Sequence, residues 1–317
     1  MRAAAWLVPT AILSLFAVPR PVVGAADPGV VTLQGAERQR ARTTVVILGT
    51  GTPIPDPDRS GPGVAVVVDS VAYLFDAGAG IMRRAAAASR DGVPGLRAPQ
   101  IGRVFLTHLH SDHTMGLNDL IFTPWIQGRT APLEVFGPPG TPRLVRGILD
   151  GNDEDIRERL ASAGGPSAEG WHANVHEIAE GEVYRDARVT VRAFAVPHSA
   201  WKHAFGYVIT TPDRRIVISG DARANPAIAR ECNGCDLLIH EVYSDAGFQT
   251  ISPARQPYHA QAHTSASQLG AIATAARPKQ LVLYHQLYFG SSDETLLREV
   301  RAGFSGTVIS AKDLQRF

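Results

Sequence analysis

The stretch THLHSDHTMG, residues 107–116, places three histidines and one aspartate within six positions. They are His108, His110, Asp112 and His113. The whole chain of 317 residues has only 11 histidines, so chance is a poor explanation for a cluster of this density in a polar loop. Imidazole nitrogens and a carboxylate are the ligands that Zn²⁺ and similar borderline metals prefer. The stretch therefore predicts a metal site.

The cluster follows IGRVFLTH at 101–108, a run with the composition of a β-strand. Side chains two residues apart in a strand point to the same face, so we expect the imidazoles of His108 and His110 to lie side by side. Asp112 and His113 fall in the turn that opens the next helix. Four potential ligands are thus expected at one strand end.

Three more residues of metal-binding type stand where other apolar strands end. His198 follows VTVRAFAVP, Asp221 ends IVISGD, and His285 ends LVLYH. One such residue could be an ordinary hydrogen-bonded residue at a sheet edge. Three of them, together with the histidine cluster, favour a single shared site.

The predicted elements occur in the same order in both halves of the chain: a run of strands, then alternating helices and strands. The main predicted strands are 43–50, 64–69, 72–78, 101–108, 133–141, 187–198, 205–211, 214–221, 235–243, 279–285 and 306–310, and the helices are 80–92, 222–231, 264–276 and 293–304. Residues 141–163 look mostly helical, and 163–173 look like exposed loop. No Gly/Ser-rich or Pro-rich linker separates the halves. We expect one α/β (α+β) domain with two sheets packed face to face and helices outside.

The first 25 residues have the features of a secretory signal peptide. One charge at Arg2 precedes an apolar run at 3–18, and Val23 and Ala25 fit a cleavage site. The run is shorter than the about 20 apolar residues that a membrane span needs, although an uncleaved anchor is the alternative. We expect a signal peptide at 1–25, an N-terminal linker at 26–42 and a folded domain at 43–317. The mature protein would be periplasmic or secreted and free of the membrane.

The charge balance gives no general reason to expect an anionic partner. The chain has 31 basic and 30 acidic residues, a formal net charge of +1. Nucleic acids and anionic membranes attract proteins with an excess of positive charge, so neither is expected as a partner.

The two cysteines, Cys232 and Cys235, form the sequence CNGC. A short-loop disulfide is possible in an exported protein. A structural zinc site would need a second pair, which the sequence lacks. We interpret CNGC as a surface turn, with or without a bridge.

Taken together, the motifs resemble the metallo-β-lactamase superfamily. THLHSDH followed by a distant His, Asp and His is similar to its metal-binding pattern. LGTGTPIPDPDRSGPG, LFDAGAG, FGPPGT, HAFGYVI, SGDA, LIHEVY and LVLYH resemble its ribonuclease Z and arylsulfatase-like branch. The resemblance runs from about Val45 to the C-terminus. It implies a four-layer αββα sandwich with two Zn²⁺ ions per chain at the sheet edge.

The resemblance also implies a role for each residue of the site. One zinc would be held by His108, His110 and His198. The second would be held by Asp112, His113 and His285, with Asp221 bridging the two. Asp76 of LFDAG matches a supporting aspartate that orients ligands. Two metals of this kind share a hydroxide that acts as the nucleophile, and Asp112 is expected among the catalytic residues.

The leaving group needs a proton, and Glu241 with His263 match the acid pair of ribonuclease Z-like enzymes. A carboxylate beside an imidazole is expected to raise the imidazole pKa and to fix its tautomer. Glu241 could instead form a structural ion pair, and His263 could cap its helix. His259 is a competing proton donor, and His203 could line the pocket. The remaining histidines, His172, His176 and His240, are expected to be structural.

Several functions share this set of ligands. We expect a dinuclear zinc hydrolase that cleaves a small-molecule sulfate or phosphate ester, arylsulfatase-like; the alternatives are a ribonuclease Z-like nuclease and a lactonase. An exported enzyme would not meet precursor tRNA, and 205–221 has only a short turn where ribonuclease Z carries a long arm. Redox relatives replace the second histidine with glutamate, and non-catalytic ones lose ligands. A homodimer is possible by resemblance.

Overall fold

The structure, a computed structural model, describes residues 42–317. The predicted signal peptide, its cleavage site and all but the last residue of the predicted linker lie outside the described residues. The proposed segment boundaries and export therefore stay predictions. Within 42–317, no helix combines the length and the apolarity needed to cross a bilayer.

Two mixed sheets form the centre of the domain. The first has the order β1-β2-β3-β4-β5-β6 and the second the order β13-β12-β11-β10-β9-β8-β7. The strands of the first sheet are β1 Thr43–Gly49, β2 Gly63–Val68, β3 Val71–Phe75, β4 Arg103–Phe105, β5 Leu133–Gly137 and β6 Ala173–Glu177. Those of the second are β7 Gly181–Arg185, β8 Thr190–Ala195, β9 Phe205–Thr210, β10 Arg215–Ile218, β11 Leu237–Tyr243, β12 Gln280–Leu287 and β13 Val308–Ser310.

Helices connect the parallel strands of both sheets. In the first half they are α1 Ile81–Arg90, α2 Ser111–Thr114, α3 Leu117–Ile126, α4 Thr141–Gly151 and α5 Asp153–Ala161. In the second half they are α6 Pro226–Cys232, α7 Asp245–Phe248, α8 Gln256–Ala262, α9 Ala266–Ala276 and α10 Asp293–Gly303. Strands β3 to β6 run parallel, as do β10 to β13.

The packing explains the four layers. Successive residues of a strand face opposite sides, and in β2 both sides are buried. Val64 and Val66 pack between the two sheets with residues such as Tyr207 of β9. Ala65 and Val67 pack on the other side, against the layer that contains α1 and α3. A third cluster packs α6, α9 and α10 on the outside of the second sheet. The expected αββα sandwich is confirmed.

The polar segments differ from the sequence-based expectation. Strands β6 and β7 were not predicted, because ANVHE and GEVYR are half-exposed and show no clean apolar alternation. Helices α7 and α8 were not predicted either. The helix expected after Asp112 and His113 forms as α2 and α3, although α3 contains Pro124, which normally interrupts a helix.

The cysteine pair is a disulfide, Cys232–Cys235. Both cysteine side chains are fully buried beside α6 and α9, while the intervening Asn233 and Gly234 are exposed. The bridge therefore closes an exposed turn onto the outer core of the second sheet.

Candidate metal centre

The seven predicted ligands come together at one edge of the sandwich, near the ends of β4, β8 and β10 and within β12. All of them are buried except His110, which is half-buried. The residues are His108, His110, Asp112, His113, His198, Asp221 and His285. Their ligand atoms fall into two separate groups, and a third group links the two through Asp221 and His285. Within each group all ligand atoms lie within 4.8 Å of one another: His108, His110, His198 and Asp221; Asp112, His113 and His285; and Asp221, His263 and His285.

The first group contains three ring nitrogens. His110 Nδ1 lies 3.0 Å from His108 Nε2 and 3.1 Å from His198 Nε2. Nitrogens that bind one tetrahedral zinc at about 2.0 Å are about 3.3 Å apart, so this spacing fits a shared cation. Strand β4 ends at Phe105, so the two histidines lie in the following loop. We had expected the strand pleat to bring these two side chains together, but they converge because of the loop conformation.

Asp76 holds that loop in place. Its Oδ1 accepts hydrogen bonds from the Thr107 amide and hydroxyl at 2.8 and 3.0 Å. Its Oδ2 lies 2.8 Å from His113 Nδ1, which donates to it. Because Nδ1 donates to Asp76, Nε2 is the His113 nitrogen that faces the candidate metal site. This geometry fits the supporting role expected for Asp76.

The second group is built around Asp112 and His285. Asp112 Oδ2 lies 3.2 Å from His285 Nε2 and 3.5 Å from His113 Nε2. Asp221 lies between the groups: its Oδ1 is 3.3 Å from His113 Nε2, and its Oδ2 is 3.6 Å from His285 Nε2 and 4.0 Å from His198 Nε2. A carboxylate in this position can contact two metals at once.

A β-bulge points His285 into the site. In the pairing of β11 with β12, Tyr284 is opposite Glu241 and Gln286 is opposite Val242, which leaves His285 without a partner. Its φ of 45° is in the left-handed region. Bulges re-aim single side chains in this way beside functional sites. The strand continues to Leu287, so His285 does not end it as predicted.

Burial keeps the first group of imidazoles neutral. It lowers the pKa of His108 well below the ordinary value, lowers that of His110 to about 4, and also lowers that of His198. A neutral imidazole has one free lone pair, which is what a metal ligand must offer.

Asp221 and His113 have the features of a site that is completed by a cation. Burial opposes ionisation of Asp221, but His285 and His113 outweigh it and hold its pKa well below the usual range. Burial also opposes protonation of His113, yet Asp221 and Asp76 raise its pKa well above the ordinary value. Asp221 Oδ1 and His113 Nε2 are buried without a hydrogen-bond partner among the described residues. A metal ion would satisfy both atoms.

Glu241 and His263, the two residues expected to form an acid pair, lie next to this group. Glu241 Oε2 lies 3.3 Å from His263 Nδ1, and both side chains are buried. Burial and the charge of Asp221 raise the pKa of Glu241 well above its usual value, while burial lowers that of His263. The expected rise in the imidazole pKa is therefore wrong, because burial outweighs the neighbouring carboxyl group. Both shifts favour a neutral carboxyl group beside a neutral imidazole.

Two alternatives were a helix-capping role for His263 and proton donation by His259. Ser265, not His263, caps α9, since its side chain accepts from the Gln268 amide. His259 stacks at 5.9 Å from His263 and packs on Phe289 at 4.7 Å. Because His259 has no carboxylate partner within 42–317, His263 is the better placed donor.

The other histidines lie apart from the ligand groups, and one aromatic residue was overlooked. His172 and His176 pair with surface glutamates, and His240 is buried in β11. His203 is exposed and shares a surface cavity with His110. The overlooked residue is Trp201, whose Nε1 lies 2.7 Å from His110 Nε2. Its only signal in the sequence is its place three residues after a predicted ligand.

Comparison with known proteins identifies the relatives of this chain. Residues 72–286 match the family model "Beta-lactamase superfamily domain". Ribonuclease Z of Mycobacterium bovis BCG is 32% identical over 269 residues, covering 81% of this chain and 91% of that protein. Ribonuclease Z of Mycobacterium avium is 32% identical over 265 residues, with the same coverage.

Solved structures share the fold. The short form of human tRNase Z aligns with a TM-score of 0.64 at 24% identity, covering 86% of this chain and 98% of that chain. A metallo-beta-lactamase fold protein from Bacillus subtilis aligns with a TM-score of 0.65 at 19% identity, covering 87% of this chain and 98% of that chain.

These findings correct two expectations. The expected hydrolase of small-molecule sulfate or phosphate esters is wrong, and so is the expected absence of a nucleic-acid partner. Relatives that cover four fifths of the chain at 32% identity are named ribonuclease Z, not arylsulfatase.

Both errors have a physical reason. A net charge of +1 is an average, and it does not exclude a local excess: Arg83, Arg90 and Arg97 line one surface cavity of about 560 Å³. The turn at 211–214 between β9 and β10 is short, as predicted. The lack of an arm there removes one means of gripping RNA, but it leaves the metal-binding side chains in place. The chain is a hydrolase of the metallo-β-lactamase superfamily and belongs to its ribonuclease Z family.

Proposed function

We propose that this protein is a metal-dependent phosphodiesterase that cleaves RNA, in the manner of its ribonuclease Z relatives. The observation that carries the proposal is the convergence of both ligand groups on Asp221, beside the buried Glu241–His263 pair. Metal ligands and a proton donor are the two requirements for breaking an unactivated phosphodiester bond.

Two Zn²⁺ ions fit the residues present. His108, His110 and His198 would hold one, and Asp112, His113 and His285 the other, with Asp221 contacting both. Bound metals of this kind supply a water nucleophile at neutral pH and neutralise charge on the phosphate oxygens. His263 is a further potential ligand, since its ring lies within 4.8 Å of Asp221 and His285 ligand atoms. We assign it to proton transfer because Glu241 faces its Nδ1.

Proton donation by His263 depends on which of its two ring nitrogens carries the proton. The carboxyl group of Glu241 is fixed because its Oε1 accepts hydrogen bonds from the amides of Thr264 at 2.9 Å and Ala222 at 3.4 Å. Glu241 Oε2 faces His263 Nδ1 at 3.3 Å, and neither atom has a hydrogen-bond partner among the described residues. A proton on Oε2 would favour the His263 tautomer that carries its ring proton on Nε2. His263 Nε2 then donates to the leaving oxygen, and Glu241 replaces the proton from the other side of the ring.

The test is a substrate panel on zinc-loaded protein: a tRNA precursor with a 3′ extension, an aryl phosphodiester and an aryl sulfate. We expect cleavage of the precursor at one defined position, and we expect Asp221→Asn to abolish it. Hydrolysis of the aryl sulfate without any cleavage of RNA would overturn the proposal. An RNA-cleaving activity that persists in Asp221→Asn would reveal a contaminating nuclease, and the cleavage would then no longer support the proposed function.

A further inference from the structure

Exposed apolar side chains are concentrated around the metal centre. Within 42–317 six large hydrophobic side chains are exposed, and four of them lie near the site: Ile54, Met115, Trp201 and Tyr258. Ile54 and Met115 line a cavity that also includes Asp112. The carboxylates of Asp221 and Asp112 add to the effect of burial in raising the pKa of Tyr258. Such clustering marks a binding surface.

Trp201 has the most direct contact with the centre. Its Nε1 lies 2.7 Å from His110 Nε2, and the two rings are perpendicular, with centroids 5.0 Å apart and an angle of 89°. The edge of the indole therefore faces His110. The contact leaves the flat faces of the indole available, and 37% of the residue is exposed.

The backbone fixes Trp201 in this position. Its amide donates to the carbonyl of His198 at 3.0 Å, and the two residues form an isolated β-bridge. Within the same turn, the Ser199 amide donates to the carbonyl of Gln261 at 3.0 Å, and Ser199 has a φ of 48°. The turn that carries His198, a candidate metal ligand, thus also presents the indole.

The surroundings of the indole match a nucleotide. Trp201 lines a cavity of about 450 Å³ with His110, Lys202 and His203. Lys202 is exposed and has no ion-pair partner among the residues that the structure describes. A flat aromatic face stacks on a base, and a free ammonium group attracts a phosphate. Sulfate or phosphate alone would need only the cation.

We propose that Trp201 is a stacking platform for the base of the nucleotide next to the cleaved phosphate, with Lys202 near the phosphate beyond it. The inference rests on the proposed RNA phosphodiesterase function and names a subsite for it. Because the indole touches a metal ligand, the base that it holds belongs to a nucleotide adjoining the reacting phosphate. That nucleotide is unpaired, since stacking on a side chain needs a free base face.

Fluorescence tests the platform without catalysis. The probes are adenosine 5′-monophosphate and ribose 5-phosphate, which differ only in the base. The chain has four tryptophans, and Trp201→Phe removes one of them while keeping an aromatic face. We expect the adenine nucleotide to quench wild-type emission, the sugar phosphate to leave it nearly unchanged, and the quench to be lost in Trp201→Phe. Equal quenching by both probes, or a quench retained in the variant, would overturn the proposal.

Kinetics separate stacking from support of His110. Trp201→Ala should raise KM for RNA by roughly 5- to 150-fold, the contribution of one base stack. Trp201→Phe, which removes the Nε1 contact with His110 but keeps an aromatic face, should raise KM much less. Leu160→Ala, an exposed apolar residue of α5, is the matched control and should behave as wild type. For methyl 4-nitrophenyl phosphate, which has no base, Trp201→Ala should raise KM less than it does for RNA.

The outcomes distinguish this inference from the proposed function. If wild-type protein fails to cleave RNA, the proposed function fails, while the two fluorescence probes still test the platform. A different outcome is that wild type cleaves RNA, but both Trp201 variants bind less zinc and lose activity equally on both substrates. Trp201 would then only support His110, and the platform would be rejected.

Discussion

Glu241 Oε2 lies 3.3 Å from His263 Nδ1, and both side chains are withdrawn from water. Burial shifts the two pKa values in opposite directions, upward for the carboxyl group and downward for the imidazole. Both shifts favour the neutral form of each group, and neither facing atom has another hydrogen-bond partner among the described residues. This arrangement suits a donor that passes a proton outward through the imidazole ring.

His263→Ala should be selective for the leaving group. A nitrophenolate leaves without a proton, whereas the ribose oxygen of RNA needs one, and general acid catalysis contributes about 10²- to 10⁴-fold. We expect kcat on RNA to fall by that order and kcat on an aryl phosphodiester to fall much less, with the zinc content retained. His259→Ala is the comparison for the competing donor. Equal losses on both substrates would reject the acid role of His263.

Asp76→Asn should weaken metal binding. The new amide would present a donor toward His113 Nδ1, so the ring proton would move to Nε2 and remove the lone pair that faces the metal. Changes of this kind cost roughly 10- to 100-fold in metal affinity. Competition with a chromogenic chelator measures the loss, and Asp91→Asn, an exposed aspartate, serves as control. Unchanged zinc affinity in Asp76→Asn would contradict the orienting role.

Arg129 should be a determinant of stability, not of activity. Its buried guanidinium donates to five carbonyl groups, those of Ile101, Leu120, Ile121, Ala131 and Gly170. Burial lowers its pKa to about 10. Arg129→Met would leave these carbonyls without a donor, at roughly 1–3 kcal/mol for each buried one left unsatisfied. Urea unfolding should show a loss of several kcal/mol, and a variant of wild-type stability would refute the assignment.

His240 should make the fold sensitive to acid. Burial in β11 lowers its pKa to about 4, below the value of about 6.5 for an unfolded chain. The unfolded state therefore takes up the proton first, so stability falls as the pH drops below 6.5, and the loss levels off below 4. The full effect is roughly 3 kcal/mol.

His240→Leu isolates this effect, because the other buried histidines titrate in both proteins. The free energy of unfolding of wild type relative to the variant should decline between pH 6.5 and 4 and stay level above 7. A difference that does not depend on pH would show that His240 does not titrate as its burial implies.

The sequence predicted the layers well because the buried strands are apolar on both faces. β2, with GVAVVV, is recognisable without tertiary information. β6, with ANVHE, is a half-exposed edge strand that forms only because β5 offers it a partner, so its own pattern carries little signal. Pairing between distant segments determines such strands, and local composition does not report it.

The candidate ligand residues could be predicted from the sequence, but their geometry could not. Residue type at strand ends identified His198 and Asp221, but the pKa directions depend on burial, which only the packed structure reveals. The bulge at His285 arises from its unmatched position against β11. Trp201 belongs to no motif, and only its contact with His110 in the structure places it beside the candidate site.

Titration of metal-free protein with Zn²⁺, followed by cleavage of a tRNA precursor, tests the central claim most directly. Two ligand groups joined by Asp221 predict that cleavage requires both ions, so activity should remain low at one equivalent and saturate near two, with the bound metal counted in the same samples. Asp221→Asn should bind less zinc and stay inactive throughout. Full RNA cleavage at one equivalent, or in the presence of a chelator, would contradict the account.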